Sequence, residues 1–597
     1  MKHLIQKISL LILALALLLP VFAGCKNDTP ADDGTSAPAN EENTTASPDT
    51  DPAGEDPAVL IELVKAGKTD YTIARPEGAS TTVKDLAMKL QSVIYRYSEK
   101  EMKVTDDFEY DKEKHEIVLG TTKYPETAEA RKRLNIAQYG VMPIDNKLVI
   151  YGYTETALEK AVNAFEALLK KSIKVEDDKT VTLAFSSKDA PVNNMLYYFG
   201  DIPEFMAGSF YDSYDLANEN VQLLYKNVKA DDFRNYVKTL AANGFKEYQQ
   251  YQIGDNLFAT YTAEGGVVYL EYLAYNQTLS IITDSLATNS LVTPETYDPA
   301  AKVTENTLGI FSLDYSHRDV TDGNGMGYVI TLEDGRYVII DGGYTYDAEN
   351  LYQYLKDNNK RTDGIKIAAW FLSHSHGDHY GCIEKFAPVH GRDVTLEYVI
   401  ANPDSVSRNK SATGYNGYLA NSVRSSIVPC FGGSPKFVKT HTGQVYTFGN
   451  VVFEVMYSHE NLYPALISNQ NEASTVLRMR ANGKSVLFTA DTEYESVTTM
   501  MNMYGSALKS DILQINHHGY SGGSKEFFDL VNPSVAMWTT SQAAFDIRIK
   551  SSYPRGYNKY AVDKVGLANT FVADGDCKLL PMNYTSLSEV TYYSFKK

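Results

Sequence analysis

The stretch IAAWFLSHSHGDHYG, residues 367–381, decides how this chain is read. Ile367 to Leu372 is an unbroken apolar run with the length and composition of a strand buried on both faces. It delivers the chain straight into His374, His376, Asp378 and His379. Four metal-capable side chains so close together do not form an apolar core, because burying several imidazoles and a carboxylate without partners is costly. A solvated loop is the bland alternative, but a buried strand has no reason to feed one so rich in ligands. Imidazole nitrogen combined with carboxylate oxygen suits zinc, manganese or iron. The segment therefore predicts a metal site at the tip of a strand.

Working outward, YVITLEDGRYVIIDGG (328–343) reads as two β-rich runs joined by a Glu-Asp-Gly turn, leaving Asp341 at a strand tip. Downstream, SVLFTADTE (485–493) is a strand ending at Asp491, and DILQINHHGYSGGS (511–524) is a strand ending at His517-His518-Gly519. Between these and the first segment, VVFEVMYS (451–458) runs into His459, and NEASTVLRM begins with Asn471. His390 and His441 read as ordinary loop residues.

The His-x-His-x-Asp-His pattern at 374–379, followed in order by the Asp491 and His517-His518 strands, resembles the metallo-β-lactamase superfamily. That resemblance implies an α/β fold, an αββα sandwich over 304–597, with two divalent ions, zinc first and manganese or iron as alternatives. It assigns His374 and His376 to one ion, Asp378 and His379 to the other, and Asp491 as the carboxylate bridging both. One histidine of the doublet is then the last ligand. His518 is favoured for that place and His517 for substrate contact, with the reverse order still open. A third histidine for the first ion is open between His459 and a replacement by Asn471.

The doublet His-His-Gly with its following serines, the strand N-x-x-S-x-V-L-R from Asn471 to Arg478, and the tail RGYNKYAVDKVGLANTFVADGDCKLLPM (555–582) resemble a narrower branch. It contains the hydrolase domain of competence-type DNA-uptake proteins and the choline-phosphate esterases. The resemblance implies a phosphodiesterase using a metal-bridging hydroxide, with Asp378, Asp491 and His517 as the catalytic set. One departure stands out: the branch has Gly-x-Gly-Asp before the first hairpin, whereas GNGM (323–326) carries Met326 here. Two other readings stay open. The same site on the same fold would open a lactone, thioester or β-lactam, and a surface lipoprotein binding cell wall or carbohydrate would keep the metal as structure only.

The front of the chain frames the setting. In MKHLIQKISLLILALALLLPVFAGC, Lys2 and Lys7 precede an apolar run that stops at Gly24-Cys25. This is a signal peptide over 1–24, too short and wrongly flanked for a membrane span. Small residues before Cys25 resemble the bacterial lipoprotein-processing box, which implies lipid on Cys25 and an extracytoplasmic, membrane-anchored protein. Residues 25–57 then read as a disordered acidic tether, with −8 of the chain's net −19 in its nine acids and Lys26. An acidic surface repels polyanions at long range, which disfavours nucleic acid as a partner and leaves a phosphodiester-containing cell-wall polymer as the expected one. Of four cysteines, three remain beyond Cys25, an odd set with no paired spacing, so no disulfide framework is expected.

Two accessory domains are expected before the sandwich. Over 58–190, helical spacing at Val83, Leu86, Ala87, Leu90, Val93, Ile94 and Tyr97, and again from Leu158 to Leu169, brackets strand-like HEIVLGTT (115–122) and NKLVIYGY (146–153). This β-α-β-β-α layout resembles the small N-terminal domain of α-glucuronidases, an accessory without catalytic residues. Over 191–303 an α+β domain is expected, with a helix through Phe233, Tyr236, Val237 and Leu240 ending near Gly244.

Overall fold

The structure is a computed structural model and describes residues 58–134, 138–153, 155–194, 202–216, 220–311, 325–403, 423–463, 465, 467, 469–550 and 556–595. The expected signal peptide, Cys25 and the expected tether lie outside the described residues. Among those described, no helix is long and apolar enough to cross a membrane, and Cys382, Cys430 and Cys577 are buried and form no disulfide.

Two compact units divide the chain between Thr288 and Asn289. In the earlier unit a six-stranded sheet has the order 104–106, 72–75, 116–119, 147–152, 138–144, 192–194. Helices Thr81–Ser98 and Glu155–Lys171 bury Leu86, Leu90, Ile94, Val162 and Phe165 on one of its faces. Pro125–Arg133 covers the other with Ala130. A second sheet of six antiparallel strands, 209–285, carries helix Ala230–Ala242 through Phe233, Tyr236, Val237 and Leu240. Gly244 follows that helix at φ +86°, the left-handed conformation its position requires.

Both expected domain borders shift. Val192–Asn194 pairs with Gln138–Gly140 and so belongs to the first sheet, past residue 190. Residues after 288 belong to the C-terminal unit. Asn289 accepts the Lys439 N–H at 2.7 Å, Tyr398 accepts the Thr293 N–H at 3.1 Å, and Glu295 forms a two-pronged pair with Arg336 at 2.7 and 2.6 Å. The polar and Pro-containing composition of 289–303 hides this, because its ties are individual side-chain bonds and not a periodic apolar face.

The C-terminal unit holds an eight-stranded sheet, in the order 436–439, 394–401, 365–372, 337–341, 327–331, 307–311, 576–581, 591–594, and a seven-stranded one, 445–448, 451–457, 476–481, 484–488, 512–514, 535–538, 570–572. One core lies between them, built from Ile330, Val338, Phe371 and Ile400 of the first and Phe453, Leu477, Val486, Ile512 and Met537 of the second. Helices Ala348–Asn358 and Gly377–His390 close the outer face of the eight-stranded sheet over Trp370, Ile339 and Leu396. Helices Tyr494–Tyr504, Lys525–Val531 and Tyr557–Val565 bury apolar faces in the part of the chain that alternates with the other sheet's parallel strands. This is an αββα sandwich. The strand Ile365–Leu372 runs parallel to both neighbours and is buried almost throughout, which explains its unbroken apolar character. Met326 is 1% exposed in the inter-sheet core, with its N–H donated to the Asp378 carbonyl at 2.8 Å. Its place before the hairpin is thus a packing position here.

Candidate metal centre

Three strand ends in the C-terminal unit converge. After Leu372 the chain leaves the sheet, and His376 stands at the N-cap of helix Gly377–His390, whose first turn supplies Asp378 and His379. After Phe488 it turns through Ala490, in the left-handed region at φ +47°, and presents Asp491. After Gln514 it passes through His517, His518 and Gly519 at φ +46°, +50° and +86°. Consecutive left-handed non-glycine residues are unfavourable by roughly 1–2 kcal/mol each, and such strain persists only where the surroundings over-determine it. The two neighbouring imidazoles reach different carboxylate oxygens of Asp491.

The ligand atoms fall into two groups, each lying within 4.8 Å of one another. Asp378, His379, Asp491 and His518 form one, and His374, His376 and Asp491 the other. Asp491 presents Oδ1 to Nε2 of His379 at 3.2 Å and of His518 at 3.7 Å. Its Oδ2 faces Nε2 of His374 at 3.9 Å and of His517 at 3.5 Å. His518 Nε2 lies 3.2 Å from Asp378, and His374 Nε2 lies 3.1 Å from His376 Nδ1. So six of the seven residues expected to bind metal come together.

His459 does not join either group among the described residues. It sits in the short helix His459–Leu462, with Nδ1 3.1 Å from the Tyr463 hydroxyl. Asn471, the alternative, lies 3.5 Å from His517 through Nδ2. His517 itself stands beside the clusters, its Nδ1 3.1 Å from Glu493 and 3.0 Å from the Ser521 hydroxyl. His390 is remote, stacked on Tyr352 at 4.0 Å and paired with Glu349. His441 lies in a loop, as expected, but is buried: it is 1% exposed, with Nδ1 2.7 Å from the buried Glu460.

The remaining ring nitrogens are tied down. Asp341 Oδ2 holds Nδ1 of His379 at 2.8 Å, and the Thr539 carbonyl holds Nδ1 of His518 at 2.7 Å. Asp341 also accepts from the Ser373 N–H at 2.7 Å and hydroxyl at 2.8 Å. Fixing one ring nitrogen dictates which way the other points, as around metal-bound histidines generally. Asp341 was visible in the sequence as a carboxylate at a strand tip, and Glu493 sits two residues after Asp491 in a strand already singled out. The Thr539 carbonyl had no sequence signal, since every residue carries one.

Burial and charge compete across the site. Burial, and then the neighbouring His379, push His374 and His376 below the usual histidine range. Burial opposes charge on His379 as well, but Asp491, Asp378 and Asp341 hold it well above that range. Asp491 and Asp378 are held well below the ordinary carboxylate range against their own burial, chiefly by His379 and His518. A hydrogen bond from His517 lowers Glu493 to about 2. Meanwhile His379 Nε2, His518 Nε2 and Asp491 Oδ1 are buried and make no hydrogen bond among the described residues, although they face one another. Ring nitrogens and carboxylate oxygens converging in this way fit divalent cations, one per group, with Asp491 shared.

The profile of the metallo-beta-lactamase superfamily matches residues 320–418, and the C-terminal half of the chain carries a metallo-β-lactamase-fold domain. ComE operon protein 3 of Bacillus subtilis (strain 168) is 33% identical over 96 residues, which are 16% of this chain and 12% of that protein. Among solved structures, the metallo-β-lactamase-fold protein YhfI of Bacillus subtilis is 12% identical, covering 46% of this chain and 98% of its own, at a TM-score of 0.28. Zn2+-bound PqqB from Methylobacterium extorquens is 9% identical over 45% and 97%, at 0.28. CmlA, a diiron β-hydroxylase from Streptomyces venezuelae, is 13% identical over 48% and 55%, at 0.29.

Proposed function

We propose that the C-terminal domain is a metal-dependent phosphodiesterase acting outside the cytoplasm. The observation that carries this reading is the sharing of Asp491: one oxygen faces the His379–His518 side, the other the His374–His517 side. His374, His376 and Asp491 would hold one divalent cation, and Asp378, His379, Asp491 and His518 the other. When bound, such a pair supplies Lewis acidity for a phosphoryl oxygen and lowers the pKa of water towards neutrality.

The rest falls to the chain. Asp491 sets the spacing of the two sites, and Asp341 and the Thr539 carbonyl lock the rings of His379 and His518. His517 has its Nδ1 on Glu493 and its Nε2 on the cluster side, 3.5 Å from Asp491 Oδ2. In that position a proton on Nε2 is available to the alkoxide that departs from phosphorus, the group that needs it most. This placement suits a phosphodiester with an alkoxide leaving group, and is of less use to a thioester, whose thiolate leaves unaided.

The test is hydrolysis of bis-p-nitrophenyl phosphate beside a chromogenic β-lactam, with metal analysis of the same protein. Diester turnover should disappear on chelation and return with zinc. Activity confined to the β-lactam, or surviving complete metal removal, overturns the proposal. The apolar run before Cys25 supports a lipid-anchored site of action with a phosphodiester-bearing wall polymer as substrate. Labelling with a fatty-acid analogue, lost in Cys25→Ala, tests the anchor.

A further inference from the structure

The two ligand groups are unequal. Among the described residues, four side chains meet on the Asp378–His518 side, against three, His374, His376 and the shared Asp491, on the other. Two imidazoles and half a carboxylate leave a divalent cation short of protein donors relative to its neighbour.

Asn471 lies on that poorer side. Its Nδ2 is 3.5 Å from both ring nitrogens of His517, which in turn touches the Oδ2 of Asp491 that faces His374. The same Nδ2 donates to Glu493 Oε1 at 2.8 Å. That bond orients the amide, since a carboxylate accepts only from the NH2 end and the oxygen must point elsewhere. The oxygen so directed is buried, on a residue 7% exposed, and receives no hydrogen bond among the described residues. A buried acceptor without a donor is rare and unfavourable, and it calls for a positive partner.

We infer that Asn471 Oδ1 is the third protein ligand on the His374–His376 side, and that this makes the two cation sites unequal in strength and in preference. An amide oxygen binds zinc more weakly than imidazole does and suits manganese better. Zinc therefore loads the Asp378–His379–His518 side first, and the His374–His376 side takes a second, weaker equivalent that manganese replaces readily. Glu493 gains a second duty, since it orients this amide as well as His517. The inference rests on the two-cation reading, though not on the substrate.

The test is calorimetric titration of the full metal-stripped chain with Zn2+, repeated with Co2+ and read by visible absorption. The wild type should take two equivalents of distinct affinity. Asn471→His should tighten the weaker one about ten-fold or more, and Asn471→Leu should weaken it by about the same factor, the stronger remaining unchanged. Asn471→Asp, nearly identical in shape, should also tighten the weaker equivalent and guards against a folding defect in the other two. Two equivalents whose affinities ignore residue 471 in all three variants overturn this inference alone. A chain that takes up no cation overturns the two-cation reading along with it.

Discussion

Nδ1 of His379 and Oδ2 of Asp341 lie 2.8 Å apart, joining a strand tip of the eight-stranded sheet to the first turn of the helix that follows the histidine loop. Asp341 adopts φ +59°, a conformation that Asp and Asn tolerate better than other side-chain-bearing residues. Its carboxylate accepts from Ser373 as well, so one residue orients both the loop and a ligand. Asp341→Asn should therefore fold, yet weaken the tighter zinc equivalent by about 10- to 100-fold, the usual effect of losing such a supporting group. Zinc competition against a chromophoric chelator measures it, and an unchanged affinity would remove Asp341 from the site.

The Glu493–His517 contact gives a prediction that depends on the leaving group. If His517 delivers a proton to the departing oxygen, then p-nitrophenolate, which leaves without one, should be released almost normally by Glu493→Gln loaded to two metal equivalents, the loading being needed because Glu493 also holds Asn471. Diesters with alkyl leaving groups should slow by about 100-fold, within the range ascribed to a positioned acid. Comparing kcat for the two substrate types separates this from a general structural defect, which would slow both alike.

How far the sequence reached is clear from particular residues. The strand feeding His374 was legible because both of its faces are buried, so nothing but apolar residues fits there. Asp378, Asp491 and His518 were legible because each follows a recognisable strand. Between His459 and Asn471 the sequence left the choice open, because the strand Val451–Tyr457 was legible but not the short helix after it, in which His459 Nδ1 meets the Tyr463 hydroxyl. The reading also placed residues 289–303 with the middle domain, since single hydrogen bonds such as Asn289 to Lys439 leave no periodic trace. The separate contacts of His517 and His518 with Asp491 depend on backbone torsions that no pattern of residue types encodes.

Gly519 completes the doublet's turn, and its role is steric. It has φ +86°, and a Cβ there would sit 2.3 Å from the Trp538 ring. Gly519→Ala would have to move the indole or the turn, and the turn carries His518. We expect a loss of about 2 kcal/mol or more of stability from strain and overpacking. Because the His518 ring moves with it, the tighter zinc equivalent should weaken too. Thermal unfolding with and without zinc reads both effects, and a variant that melts and binds like the wild type contradicts the account.

The buried Glu460 predicts how the sandwich responds to acid. Burial alone would raise its carboxyl, but His441, 2.7 Å away, together with His459 and Lys439, lowers it to about 2. An unfolded glutamate titrates near pH ~4.3, so the folded group binds its proton less readily than the unfolded one. The stabilisation is then complete above about pH 5 and is lost as the pH falls through the folded value. Two pH units of depression correspond to about 3 kcal/mol. Glu460→Gln should lower stability at pH 7 by an amount of that order, and its urea midpoint should fall less steeply than the wild type's between about pH 5 and 3. The comparison belongs on metal-stripped protein, because acid also displaces cations from histidine and would steepen both curves. Parallel curves for the two proteins would mean that the Glu460 carboxyl titrates normally and that the His441 contact contributes nothing to acid stability.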